Sequence, residues 1–180
     1  MRQPFDAERL RQAFELLGED LARRKVFVEL AVYGGGAVML QFDWRRSTED
    51  VDAVVREGFD ENLLAPSLGV VAAQMELDPD WLNNAVGMFT PALFTASNSY
   101  PVGRRPGLRV FLAKPHYLLA MKLQALANVN RGNRDVGDAR QLASHLGLSD
   151  EEELARLYRS IYDEDPPVDA QARFGSVFGR

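Results

Sequence analysis

Apolar residues recur along this chain with two different periods, and the places where the period changes divide it into elements. Leu10, Phe14, Leu17 and Leu21 share one helical face, and Asp6 stands where a cap would accept from first-turn amides, so a covering helix is predicted at the N-terminus. Lys25 to Tyr33 alternates instead, with Val26, Val28, Leu30 and Val32 on one face of a strand and Phe27, Glu29, Ala31 and Tyr33 on the other. Glu29 reads there as structural or edge-exposed. Gly34, Gly35 and Gly36 close that strand. A short helix over Ala37 to Phe42 follows, then a polar loop through Trp44, Arg45, Arg46, Ser47 and Thr48, then a second apolar strand from Asp50 to Val55.

Beyond Phe59 the period turns helical. Pro66 suits the first turn of a helix running to about Leu77, and Asp78-Pro79 reads as cap and first position of another carrying Trp81 and Leu82. Trp81 could serve as a base-stacking platform, but an aromatic at helical spacing belongs with the core. Three prolines and two glycines within Thr90 to Gly107 mark a loop or irregular hairpin, and Leu108 to Ala113 is a third apolar strand. Pro115 opens a helix to about Asn128, and Asp135, Asp138 and Leu142 share a face of the next. Ser149 and Glu152 form a capping box for a last long helix to about Tyr162. A tail with Phe174 and Phe178 could dock on the body or on a partner. The alternation of strands and helices predicts an α/β (α+β) protein, and 180 residues suffice for one real core with a helical appendage.

Composition narrows the chemistry. With no cysteine, disulfides, thiolate metal sites and cysteine nucleophiles are all excluded. No run approaches the ~18 apolar residues of a membrane span and the first residues lack a signal-peptide core, so no membrane association and a cytoplasmic location are expected. The net charge of −5 argues against indiscriminate nucleic-acid binding. Yet eight acidic and four basic residues fall in 150–180, leaving 18 acidic against 17 basic in the rest, so a local basic surface is compatible. Arg104, Arg105 and Arg109 cluster around the third strand, as solvated charge or as contacts to a phosphate or acceptor RNA. His116 and His145 have no base–nucleophile context and read as structural.

Two stretches carry candidate chemistry. Glycines without a Cβ let a phosphate approach bare N–H groups, and the following helix would add its N-terminal partial charge. Asp50 and Asp52, two apart on a strand, would leave one face with Cα atoms about 6.6 Å apart, spaced to share a hard cation. The second stretch is Lys122, which lies on an apolar stripe between Leu118 and Leu126. It either snorkels to solvent or meets anions in a polar cavity, and the second fate is favoured because Asp135 and Asp138 stand on the next helix.

Gly34-Gly-Gly-Ala37, followed by Arg46-Ser-Thr-Glu-Asp50-Val-Asp52, resembles the nucleotidyltransferase superfold of DNA polymerase beta, and specifically its toxin-type branch from abortive-infection and type IV toxin–antitoxin systems. Lys122 and the run Arg131-Gly-Asn-Arg134-Asp135-Val-Gly-Asp138 are similar to that branch's helical lysine and Arg-Asp-x-x-Asp pattern. Glycine stands at position 35, where most of the wider superfold has serine, and Leu108 to Ala113 lacks its third acid; the toxin-type branch tolerates both. The resemblance spans roughly residues 25 to 147. It implies a small mixed sheet in a core over residues 1–113, with a helical region over 114–180 completing the active site. It also implies a nucleoside triphosphate substrate and a magnesium (or manganese) ion on Asp50 and Asp52. The Gly34, Gly35 and Gly36 amides with Ser47 or Thr48 would hold phosphate oxygens, and Arg46 would offset their charge. Lys122 would bind the triphosphate, fixed by Asp135 or Asp138. The expected activity is nucleotide transfer, most plausibly to tRNA, by a toxin-like enzyme with a cognate antitoxin. The alternatives are a protein or small-molecule acceptor, or a binding module without turnover.

Overall fold

The computed structural model describes residues 4–56, 59–87, 98–100, 107–128 and 134–179. Arg104, Arg105 and Arg131 lie outside the described residues, as does most of the Thr90 to Gly107 loop. The chain divides into two compact units, Met1–Met88 with Ala96–Ala113, and Phe89–Thr95 with Lys114–Arg180.

The first unit begins with α1 (Ala7–Arg23), whose apolar stripe Leu10, Phe14, Leu17 and Leu21 is fully buried. Asp6 caps it, accepting from the Arg9 N–H at 2.7 Å. Near its other end Asp20 is buried yet accepts from Arg24 at 2.6 Å and Arg23 at 2.9 Å. Arg24 above all, with the Ser67 hydroxyl next and Arg23 least, holds its carboxyl below the ordinary 3.8. Lys25 makes the turn with φ +60°.

The chain then runs through β1 (Val28–Val32), α2 (Gly34–Gln41) and β2 (Val51–Val55), a short 3-10 helix (Glu61–Leu63), α3 (Ala65–Met75), β3 (Leu82–Asn83), β4 (Asn98–Tyr100) and β5 (Leu108–Leu112). The sheet order is β3-β2-β1-β5-β4. β1 is antiparallel to β2 and parallel to β5, β3 is parallel to β2, and β4 closes the far edge antiparallel to β5, which makes the mixed sheet the fold class called for. Val28, Leu30, Val32, Val51 and Ala53 are buried on one face together with Leu108, Val110 and Leu112. On the opposite face Glu29 accepts from Arg109, its register partner on β5, at 2.8 Å and from Arg56 at 3.1 Å. That engagement makes Glu29 a cross-strand tie, and Arg109 is one of its two cations.

Gly107 brings the entry of β5 hard against α1. A Cβ there would lie 2.5 Å from both the Ala22 amide nitrogen and the Gly18 carbonyl oxygen, so the position excludes any side chain.

Three local expectations are corrected. The helix after the glycines begins at Gly34 rather than Ala37, since the Ala37 N–H already donates to the Tyr33 carbonyl at 3.1 Å and leaves the glycines as the first turn. Asp78-Pro79 does not start a helix: the Asp78 carboxylate accepts from the Asp80 amide in a tight turn, and the backbone that follows pairs with β2, where the Val51 N–H donates to the Trp81 carbonyl at 2.8 Å. Trp81 itself is buried, with its indole N–H donating to the Leu68 carbonyl. Asp50 precedes β2 rather than opening it.

The second unit is helical: α4 (Pro115–Ala125), α5 (Arg134–His145), α6 (Glu151–Tyr162), α7 (Val168–Gln171) and α8 (Phe174–Val177). The cap of α6 falls one residue later than Ser149: Asp150 accepts from the Glu153 amide at 2.8 Å, while Ser149 donates back to Glu153. The tail docks on these helices, since Phe174 and Val177 are buried, Arg140 donates to the Val177 and Ser176 carbonyls, and Arg173 donates to the Leu126 carbonyl at the end of α4. The Tyr158 hydroxyl donates to the Gln124 side chain, and burial pushes its pKa up to about 12. Among the described residues no helix is long and apolar enough to cross a membrane.

Candidate functional site

The glycine triplet does three separate jobs, and those jobs build the site. Gly34 has φ +57°, a backbone that side chains rarely adopt, and a Cβ on it would fall 2.1 Å from Asp52 Oδ2. The Asp52 carboxylate therefore lies directly against the first residue of α2, where the helix presents unbonded amides and positive partial charge. Gly35 meets the loop instead: its Cβ position lies 2.5 Å from Arg45 Nη2 and 2.8 Å from Thr48 Oγ1. Gly36 faces the core, with Val32, Val51 and Leu10 at an ordinary 3.6 to 3.7 Å. Two of the three glycines thus let charged or polar groups close on the helix start, and the third is a packing position.

The loop is tied down by a short pairing near the N-terminus. The Phe5 N–H donates to the Thr48 carbonyl at 2.7 Å, and the Thr48 N–H donates to the Phe5 carbonyl at 3.0 Å. Thr48 is buried, and its hydroxyl donates to the Asp50 carbonyl at 3.0 Å. Arg46 and Ser47 are exposed. The arginine against the glycines is Arg45, its neighbour in sequence, and the ring stack of Phe42 on Trp44 at 4.1 Å precedes it in the loop.

Asp52 is half-buried and Asp50 exposed. Asn83 joins them: it is the register partner of Asp52 across the β2–β3 pair, and its Nδ2 donates to Asp50 Oδ2 at 3.3 Å. The carboxamide is held in that orientation because its oxygen accepts from the Ala85 N–H at 2.9 Å. No local pattern marks Asn83, which reaches Asp50 only because a two-residue strand pairs there.

Among the described residues no three acids or histidines stand together as a metal cage. The Asp52 carboxylate beside the helix start, with the exposed Asp50 two residues before it, offers the hard oxygen donors of the protein share of a magnesium site whose remaining ligands are water and phosphate oxygens. Asp50 and Asp52 would hold the ion.

Asn83 also lines a cavity of about 270 Å³ between the sheet and α3. Its floor is aliphatic, from Leu30, Ala53 and Val55, and Glu61, Asn62 and Asn84 stand among its lining residues.

In the helical unit, Lys122 meets both acids expected of it. Its Nζ lies 2.7 Å from Asp135 Oδ1 and 2.9 Å from Asp138 Oδ2, with all three residues buried. It does not snorkel to solvent. One turn of α5 separates the two carboxylates, so a single ammonium between the helices reaches both.

Compared with models of protein families, with curated proteins and with solved structures, the chain has no match in any of the three.

Proposed function

We propose that the chain is a metal-dependent nucleotidyltransferase, which moves a nucleotide from a nucleoside triphosphate to an acceptor hydroxyl and releases pyrophosphate. The observation that carries this reading is the seating of the Asp52 carboxylate against Gly34, with Asp50 two residues before it and the first-turn amides of α2 beside it. A divalent cation on Asp50 and Asp52 would bind phosphate oxygens and neutralise the charge that grows on the leaving pyrophosphate.

The chain's own groups do the rest. Amides of the first turn of α2 hold phosphate oxygens, and the Arg45 guanidinium against Gly35 offsets their charge. Thr48 fixes the loop through its bonds to Phe5 and to the Asp50 carbonyl, so that Asp50 and Asp52 keep their spacing. The acceptor hydroxyl gives its proton to solvent as its oxygen bonds to the α-phosphorus, the bond from that phosphorus to the α–β bridging oxygen breaks to release pyrophosphate, and catalysis comes from positioning and fixed charge. The acceptor we favour is tRNA, as for a toxin-like enzyme held in check by an antitoxin, on the strength of the motif resemblance.

The test is transfer of labelled nucleotide from each triphosphate to tRNA with magnesium or manganese, alongside growth on expression. Transfer and growth arrest that both vanish in Asp50→Ala and Asp52→Ala are expected. Transfer to a protein or small molecule instead would redirect the acceptor. A folded wild-type protein that binds no manganese through Asp50 and Asp52, with or without triphosphate, would overturn the reading.

A further inference from the structure

We infer that the face of the sheet turned away from its core binds an unpaired strand of nucleic acid, on a platform of Phe27, Phe111, Arg56 and Arg109 gathered around Glu29. The inference rests on the reading of Asp50 and Asp52 given above, and names where the acceptor lies.

The register builds the platform. Residues two apart on a strand leave the same face, so Asp52 and Val54 of β2 project together with Ala31 and Glu29 of β1 and with Arg109 and Phe111, the β5 partners of those two. Arg56 continues that row just past β2, its N–H donating to the Glu29 carbonyl at 2.9 Å. Leu30, Ala53 and Val110 turn to the core on the other side. Arg56 is thus about 13 Å along the strand from Asp52, on the same face as the acid that would hold the cation.

The arginines are already set on rings. Arg56 donates to Glu29 at 3.1 Å and lies 4.4 Å over Phe111, so its side chain crosses β1 from the β2 side to β5. Arg109 donates to the other Glu29 oxygen at 2.8 Å and lies 5.7 Å over Phe27, which in turn meets Phe59 edge-on at 5.8 Å. Two guanidiniums on one carboxylate leave the cluster a positive charge. Asp60, next to Phe59, is engaged as the cap of the 3-10 helix through the Asn62 amide. Phe27 is 42% exposed, and among the described residues the other exposed large apolar side chains, Leu63 and Val168, carry no ring.

An exposed phenyl ring beside guanidiniums offers an unpaired base a face to stack on and its phosphates a cation. A duplex cannot use the ring, because its bases are stacked on one another, and an acidic peptide would use the arginines and leave the ring idle. A single strand lying along this face toward Asp52 brings its terminal hydroxyl to the acids.

The test is fluorescence anisotropy, without metal or triphosphate, on a labelled unstructured RNA of about 12 nucleotides, the same sequence as a duplex, and polyglutamate of equal charge. The single strand should bind about tenfold or more tighter than either of the others. Phe27→Ala should weaken it about fivefold or more, the low end of one stacked base, without changing the salt dependence, and Phe27→Tyr should bind as the wild type does. Arg109→Gln should lower the slope of log affinity against log salt by about 0.7, the share of one phosphate, while Arg11→Gln on α1, at the core side of the sheet, leaves it unchanged. A duplex or polyglutamate that binds as tightly as the single strand, a wild type that binds none of the three, or Phe27→Ala that binds as the wild type does, overturns the inference while the proposed function stands on its manganese test. A protein that holds the strand through Phe27 but takes no manganese at Asp50 and Asp52 overturns that function and keeps the platform. Should Phe27→Ala fail to fold, Phe27→Leu, which keeps the apolar bulk and removes the ring, replaces it with the same expected loss.

Discussion

Alanine at Gly34 and alanine at Gly36 should have opposite effects on stability, although the two glycines sit two residues apart in one helix. At Gly34 the backbone is left-handed, φ +57°, which costs a residue with a Cβ about 1–2 kcal/mol. The new methyl would also fall 2.1 Å from Asp52 Oδ2 and 3.1 Å from its Cγ, so the carboxylate has to leave the helix start. That gives up a charge–dipole contact worth about 0.3–1 kcal/mol, and more where it is partly buried. The loss for Gly34→Ala is therefore about 1.3–3 kcal/mol. At Gly36 the nearest atoms are 3.6 to 3.7 Å from the Cβ position, ordinary contact, and alanine is the better helix former by roughly 0.5–1 kcal/mol. Gly36→Ala should be neutral or stabilising. The two variants then differ by about 3 kcal/mol, or some ~6–12 °C in Tm for a chain of this size. Parallel thermal and urea unfolding read the difference directly. Equal midpoints, or a Gly36→Ala protein less stable than Gly34→Ala, would refute this division of labour among the glycines. Because the strain at Gly34 is relieved by moving Asp52, Gly34→Ala should also weaken manganese binding while Gly36→Ala leaves it alone.

Other outcomes follow from the same geometry. Gly107→Ala places a methyl 2.5 Å from two backbone atoms of α1, which cannot swing away as a side chain can, so expression of folded protein should fall more than for Gly36→Ala, Gly69→Ala or Gly137→Ala; recovery of soluble protein measures it. Lys122→Met strands the buried Asp135 and Asp138 carboxylates and should cost about 3–5 kcal/mol in urea unfolding, much of it recovered when both acids are also made asparagine; a loss under about 1 kcal/mol would contradict the buried cluster. Asp20 titrates below its ordinary 3.8 in the folded chain, so its contribution is complete above that pH and is lost as the pH falls through the lowered value. The stability gap between wild type and Asp20→Asn should accordingly be constant from neutral pH to about 4 and shrink below it, and a gap that widens in acid would reverse the sign.

Much of the scaffold could be read from periodicity because its signals are local. The Asp6 cap, the α1 stripe and the β1 alternation each depend on residues within a few positions of one another. Where the reading slipped, a distant partner decided. Residues 82 and 83 became strand only because β2 offers an edge at Val51 and Asp52, which no pattern near Asp78 announces. The same pairing delivers Asn83 to Asp50. The choice between Arg45 and Arg46 at the glycines was equally hidden, since it depends on Thr48 being pinned to Phe5, more than forty residues earlier. Lys122 was legible as an anomaly, a lysine on an apolar stripe, and the spacing of Asp135 and Asp138 named its partners; that one ammonium reaches both acids needed coordinates.

The parallel pairing of β1 with β5 has a consequence for how the chain is made. Leu30 finds its neighbour Val110 only after the whole intervening sequence has left the ribosome, and α1 gains the glycine that seats it only with residue 107. Until then the flank of β1 that β5 takes has no strand to pair with, and the end of α1 that Gly107 seats lacks that neighbour. Newborn chains stalled anywhere short of β5 should hold these surfaces open to chaperones, and the first unit should snap shut late, as a block, once the fifth strand is out.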